Sequence, residues 1–179
     1  MADRERDERG VCTTFGQVDG AISRVAGRQR ALVTRAQLRE LGIGRRAIDY
    51  AIARGRLSTI HQGIYSLVPF AVLPPLAIEL AAVLACGDAA LLSHHSAAAA
   101  WGFRPSLNGD VHVTVVGGDC GRTRDGIRVH RVRELDPRDV RRYQNIPITS
   151  PPARCWRSPR TSPTASSRKL STRLSFGGW

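Results

Sequence analysis

The residues best placed to do chemistry lie between positions 34 and 61, where arginines recur at helical spacing. Arg46, Tyr50 and Arg54 stand at i, i+4 and i+8, so they share one stripe of a helix. A helix fits the major groove of DNA, and an arginine near its start can reach guanine edges or phosphates. We therefore predict contacts with double-stranded DNA; the alternative is a solvated arginine face on a protein-interaction module. The predicted DNA-contacting residues are Thr34, Arg35, Arg45, Arg46, Tyr50, Arg54, Arg56 and His61.

Histidines form a second group with chemical potential. Ser93 precedes His94 and His95, but no carboxylate stands nearby at the spacing of a metal site or a catalytic triad. The simpler interpretation is a capping serine followed by two histidines on different sides of the first helical turn. His112 and His130 alternate with apolar residues, which predicts the outer face of a strand pair and at most a cross-strand contact. We predict no catalytic residue, no metal and no cofactor, and hence a protein that is not an enzyme.

Two other patterns carry no site. Four cysteines are scattered, without the paired spacing of a zinc site, so we expect free thiols in a cytosolic protein. The segment 117–126 is rich in glycine but lacks the phosphate-binding pattern and joins two predicted strands, so Asp119 and Asp125 are interpreted as turn residues.

The elements that would position the arginines follow in a short order. A helix is predicted from Asp19 as N-cap, and a second begins at Arg35 because Thr34 and Gln37 have capping-box spacing. The third is predicted over 45–54, with Gly55 after its end. Two strands then form a hairpin around His61-Gln62-Gly63. Three helices and a hairpin predict a winged helix-turn-helix over 19–68.

The residues after 68 predict a small α+β domain over 69–151. A helix is expected from Pro75 to Cys86, a short strand over 89–92, and an alanine-rich helix from Ser93 to Trp101. The segments 111–116 and 127–132 both alternate, which predicts an antiparallel pair. One helical turn at 136–140 and a strand at 145–148 complete the domain. The fold class is therefore α+β, with disordered tails over 1–18 and 152–179.

Charge is distributed in two blocks. The chain carries 27 Lys and Arg against 15 Asp and Glu, and residues 20–68 hold nine arginines against two acids. Residues 69–139 are nearly neutral, and residues 140–179 contain no acid. This balance permits a nucleic-acid partner. No signal peptide and no stretch able to span a membrane is apparent, so we expect a cytoplasmic protein with no membrane partner. The oligomeric state is left open.

Two longer motifs resemble a known family. The wing motif G-R-L-x-x-x-x-x-G-x-Y spans Gly55 to Tyr65, and L-S-H-x-S-A-A-A-x-W-G spans Leu92 to Gly102. Over about residues 20–154 the chain resembles the AbiEi-type antitoxins of type IV toxin–antitoxin (abortive-infection) systems. The resemblance implies a winged helix-turn-helix that binds operator DNA and represses its own operon. It also implies a following domain that, in true antitoxins, counteracts a nucleotidyltransferase-like toxin, so a cognate toxin is an expected partner.

The last residues depart from this resemblance. After Pro152 the chain has no acid and no apolar periodicity, and one allowed back-translation read in a shifted frame yields an acid-rich helical pattern. We hypothesise that an insertion or deletion near codons 152–155 truncated a longer ancestor; the alternative is a genuine basic tail with nonspecific nucleic-acid affinity. A second function stays open on this basis: a truncated remnant of a very-short-patch-repair-like endonuclease-domain protein that lacks its catalytic half.

Overall fold

A computed structural model describes residues 19–105, 109–117 and 124–151. The predictions made for the tails 1–18 and 152–179, including the shifted reading frame, lie outside these residues, as do Asp119 and most of the glycine-rich segment. Within the described residues helices and strands are mixed, which confirms the α+β class.

The N-terminal part has the element order of a winged helix-turn-helix. Its elements are α1 (19–28), β1 (Leu32–Thr34), α2 (Arg35–Glu40), α3 (Arg45–Ala53), β2 (Ser58–His61) and β3 (Ile64–Ser66). Antiparallel pairing gives a sheet in the order β1-β3-β2. The predicted hairpin is present, with Gly63 at φ +82°. Its turn is shorter than predicted, because His61 is the last residue of β2 and pairs with Ile64. The three-residue strand β1 was not predicted, because so short a run has no readable period.

Local signals determine the helix ends. The Thr34 side chain accepts from the Gln37 backbone N–H at 3.2 Å, and the Gln37 side chain accepts from the Thr34 N–H at 2.9 Å, so the predicted capping box is present. Gly55 follows α3 at φ +69°, where a residue without Cβ is favoured. Asp19 is already helical, so the prediction that it is the N-cap of α1 is wrong.

The small three-stranded sheet lies between two hydrophobic cores. Strand residues alternate in direction, so Val33 and Tyr65 pack with Ile22, Leu38 and Ile48 of the three helices. On the opposite face, Leu32 and Ile64 pack into the core of residues 69–151, which we call the second half. There they lie beside Leu80 of α4 (Ala77–Cys86). The two halves therefore share the sheet, although the sequence pattern placed a domain boundary directly after it.

The second half is built around a five-stranded sheet in the order β6-β5-β4-β8-β7. Its strands are β4 (Ala90–Leu92), β5 (Val111–Val116), β6 (Ile127–Val132), β7 (Val140–Tyr143) and β8 (Ile146–Thr149), with α5 (His94–Ala100) between β4 and β5. Short 3-10 turns occur at Phe70–Val72 and Pro137–Asp139. Strand β7 and the first of these turns were not predicted, since exposed arginines interrupt the apolar alternation of β7.

One strand pairing differs from the sequence prediction. β5 and β6 run parallel, with Val111 opposite Ile127 and Thr114 opposite His130, so the predicted antiparallel pair is wrong. Alternation determines which residues share a face but not the direction of the strand. When fully extended, the ten residues 117–126 can span about 33 Å, which exceeds the length of a six-residue strand at about 20 Å. This connection is therefore long enough to return the chain to the end of the sheet at which β5 begins.

Helix α4 also starts later than predicted. It begins at Ala77, after Leu76 at φ +62°, and not at Pro75. Among the described residues, no helix is both long enough and apolar enough to cross a membrane.

Candidate nucleic-acid interface

Helix α3 presents a basic face to solvent. Its buried side consists of Ile48 and Ala51, and Ala47 and Ile52 pack at the edge of the same core, as their spacing predicts. This packing leaves Arg45, Arg46 and Tyr50 exposed. An α-helix with its side chains is about 10–12 Å in diameter, which matches the width of a major groove at about 12 Å. The exposed, positively charged face of α3 is therefore suited to lie in that groove.

Two side-chain contacts order this face. The Arg54 guanidinium carbon lies 5.2 Å from the centroid of the Tyr50 ring, a cation–π contact that holds the arginine against a side chain that is 53% exposed. The predicted pair between Arg45 and Asp49 is present, with 3.8 Å between nitrogen and carboxylate oxygen. Both partners are exposed, so the pair is weak and Arg45 can exchange it for a phosphate. Arg46 makes no ion pair with any residue in the described part of the chain.

The start of α2 and the hairpin turn lie side by side. The Arg35 backbone N–H donates to the Gly63 carbonyl at 2.8 Å, so the turn is held against the helix. The Arg35 side chain is exposed. Arg56, at the foot of the hairpin, is also exposed and approaches Asp19 of α1 at 4.0 Å. These contacts place two further arginines on the helix-turn-helix half without burying either charge.

Thr34 and His61 are placed differently from the arginines. The Thr34 hydroxyl is engaged in the capping box, so its role in the structure is to start α2. His61 is half-buried, and its Nε2 atom is buried without a hydrogen-bond partner among the described residues. Burial, and secondarily the nearby Arg124 charge, lowers the pKa of His61. This ring therefore lacks the exposed, charged character that a phosphate contact favours.

Comparison with known proteins bears on the same segment. A family model described as "Transcriptional regulator, AbiEi antitoxin" matches residues 21–68, the span from α1 to the end of the hairpin. This segment of the chain is therefore similar to the AbiEi-type antitoxin regulators. For residues 21–68 the match confirms the resemblance inferred from the two motifs, and the matched family is one of regulators and not of enzymes. The second motif, Leu92 to Gly102, lies outside the matched segment. No curated protein matches the chain significantly.

The matched segment ends before α4 and the five-stranded sheet. The second half that they form contains a cluster of side chains that the sequence did not predict. His94, from the start of α5, lies beside His112 of β5 and His130 of β6. The alternation of β5 and β6 was readable in the sequence, but the parallel register and the docking of α5 were not. The sequence interpretation allowed at most a cross-strand contact between His112 and His130, which the structure shows with 3.1 Å between ring nitrogens. The structure adds His94 to this pair.

Proposed function

We propose that this protein is a DNA-binding, antitoxin-like transcriptional regulator that represses its own operon. The observation that carries the proposal is the exposed basic face of α3 within a segment that matches an antitoxin regulator family. Arg46 and Arg54 supply contacts to guanine edges or phosphates, and Tyr50 holds Arg54 in place. Arg35 and Arg56 contact the flanking backbone, where positive charge sets position and not sequence.

Binding to DNA is the part of this proposal that a direct experiment can test. The probe is the duplex upstream of the protein's own coding sequence, compared with a scrambled duplex of the same length in a mobility-shift titration at several salt concentrations. We expect Arg46→Ala to weaken binding and to reduce the slope of log affinity against log salt by about 1. The reason is that a phosphate no longer contacted by an arginine keeps its counterion, so binding releases about one ion fewer.

A matched variant separates a specific contact from general charge. Arg142→Ala removes the same charge from the exposed strand β7, at the edge of the second sheet. It should leave affinity and salt slope close to those of the unaltered chain. Equal losses in both variants, or binding that does not depend on salt, would contradict a role for α3.

The second half is proposed to counteract a toxin, as the family resemblance implies. Co-expression with a neighbouring toxin gene, where the locus has one, tests this directly: rescue of growth that persists in Arg46→Ala would assign neutralisation to residues other than the DNA-binding face. Loss of rescue only in variants of the second half would agree with the same assignment.

A further inference from the structure

Three histidines converge on one face of the second half. One ring nitrogen from each of His94, His112 and His130 lies within 4.8 Å of the other two. His112 Nδ1 and His130 Nε2 are 3.1 Å apart, and the rings of His94 and His130 stack with centroids 3.8 Å apart. Tetrahedral ligands at zinc–nitrogen distances of about 2.1 Å are separated by about 3.4 Å, so the cluster is close to the spacing that such an ion requires.

The backbone holds these histidines in place without any ion. In the parallel pair of β5 and β6, Thr114 is opposite His130, so these two side chains lie on the same face of the sheet. His112 is two residues before Thr114 in β5 and therefore shares that face. Helix α5 docks onto that face at its first turn. The Ser93 N–H donates to the His112 carbonyl at 2.9 Å, and the His112 N–H donates to the Ser96 hydroxyl at 2.9 Å. Two sheet positions and one helix start are thereby tied together.

His94 is held by a hydrogen-bond chain and an unusual backbone. Its φ is +50°, a left-handed conformation that only a few per cent of residues other than glycine adopt. The Ser93 hydroxyl does not cap α5; it lies 3.0 Å from His94 Nδ1 and accepts from the Thr114 hydroxyl at 2.8 Å. A partner on the second ring nitrogen is what orients histidine ligands in metal sites.

The surroundings suit neutral imidazoles. Burial, and secondarily the neighbouring His130, His95 and Arg128, lowers the pKa of His112 to about 4, and burial lowers the pKa of His130. The nearby arginines are engaged: Arg128 lies 3.7 Å from Asp110, and Arg104 contacts His95 Nδ1 at 2.8 Å.

We propose that His94, His112 and His130 form a binding site for a divalent transition-metal ion, with Zn²⁺ as the occupant. Imidazole ligands suit Zn²⁺, Ni²⁺ and Cu²⁺, and three histidines leave one coordination position for water. The half-burial of the three rings allows solvent to reach that position. Loading exchanges the stacking of His94 on His130 for coordination, so the His94 ring has to turn. The ion links the start of α5 to β5 and β6.

The experiment uses the full chain, purified without a polyhistidine tag, stripped of metal and kept reduced. Co²⁺ is the spectroscopic probe, and Zn²⁺ affinity is measured by competition with a chromogenic chelator. We expect one ion per chain and visible absorption typical of tetrahedral nitrogen and oxygen ligands. A strong near-ultraviolet band from sulfur-to-cobalt charge transfer would overturn the proposal, because it would assign binding to cysteines.

Variants locate the site. His94→Asn removes a ligand but keeps a residue that tolerates positive φ, so its fold should survive, and His112→Gln removes a ligand from the sheet. Each should lower Zn²⁺ affinity by about tenfold or more. The control is His95→Gln: His95 is adjacent in sequence and its ring centroid is 5.3 Å from that of His112, yet it is not one of the three. Unchanged affinity in His94→Asn, or an equal loss in His95→Gln, would refute the assignment. Circular dichroism checks that each variant is folded.

Discussion

The environment of His61 changes what a histidine on the hairpin can do. The ring belongs to β2, and its Nε2 atom is buried close to the Arg124 charge of the second half. Protonation of His61 would place a positive charge in a half-buried site close to the positive charge of Arg124, and both burial and that charge disfavour it. With its pKa lowered, the ring adds less positive charge to the DNA-facing surface than an ordinary exposed histidine would.

This environment predicts a pH dependence of stability. The folded pKa lies below the ordinary value of 6.5, so the unfolded chain binds more protons as the pH falls below that value. The part of the free energy of unfolding that depends on a neutral His61 is therefore present above about pH 6.5. It is lost progressively as the pH drops toward the lowered pKa of the folded state. We expect His61→Gln to flatten this acid loss of the free energy of unfolding, measured by urea denaturation between pH 7 and pH 5 with a chelator present. An identical pH profile in both proteins would contradict the effect.

Helix α3 shows how one element combines packing with a binding face. Its apolar residues recur at positions that face the core, and the remaining positions are free to carry charge. Asp49 is the exception on a basic face, and its pairing with Arg45 lowers the positive potential of that face. An exposed pair of this kind stabilises the helix by only about 0.3–0.5 kcal/mol, so its effect on DNA binding should be larger than its effect on folding.

We expect Asp49→Asn to strengthen DNA binding. The change removes a charge that repels phosphate and releases Arg45, so affinity at low salt should rise by about threefold to tenfold. Stability should change little. Glu134→Gln is the control, because it removes an equally exposed acid from the second half. If both variants bind the same DNA equally well, or if Asp49→Asn binds more weakly, α3 does not approach the phosphate backbone.

In the whole molecule, the winged helix-turn-helix and the second half are joined through a shared sheet. Leu32 and Ile64 turn away from the helix-turn-helix core and pack with the residues of α4. Arg30 also crosses the boundary, since its guanidinium donates to the Pro75 carbonyl and to the Gln144 side chain. The matched segment 21–68 therefore has one core of its own and one apolar face that the rest of the chain covers.

This arrangement predicts that residues 19–68 alone are less stable than residues 19–151. The short fragment exposes the buried residues Leu32 and Ile64 and the partly buried Ile60. Each loss of full burial of such a side chain costs about 1.5–3 kcal/mol. We expect a lower urea midpoint and concentration-dependent association for the fragment. The double change Leu32→Thr and Ile64→Thr should reduce association of the fragment but destabilise the longer chain. A fragment as stable as the longer chain would show that α4 contributes nothing to this sheet.

Sequence alone determined the local features. Short-range signals were sufficient for the capping box at Thr34, the end of α3 at Gly55 and the hairpin at Gly63, because each depends on residues within a few positions of one another. The wing motif, together with the motif at Leu92 to Gly102, also predicted the family resemblance that the comparison confirms for residues 21–68. The residues exposed on α3 followed from the helical period. Their contact with DNA stays a prediction.

Only the tertiary structure decided the relations between distant segments. It alone shows that β5 and β6 are parallel, that Ser93 contacts His94 and Thr114 instead of capping its helix, and that His112 and His130 meet His94. Periodicity indicates which face of a strand or helix is buried, but strand direction and helix docking depend on packing energies summed over many residues. For this reason, the DNA-facing helix could be predicted from its own residues, whereas the histidine cluster could not.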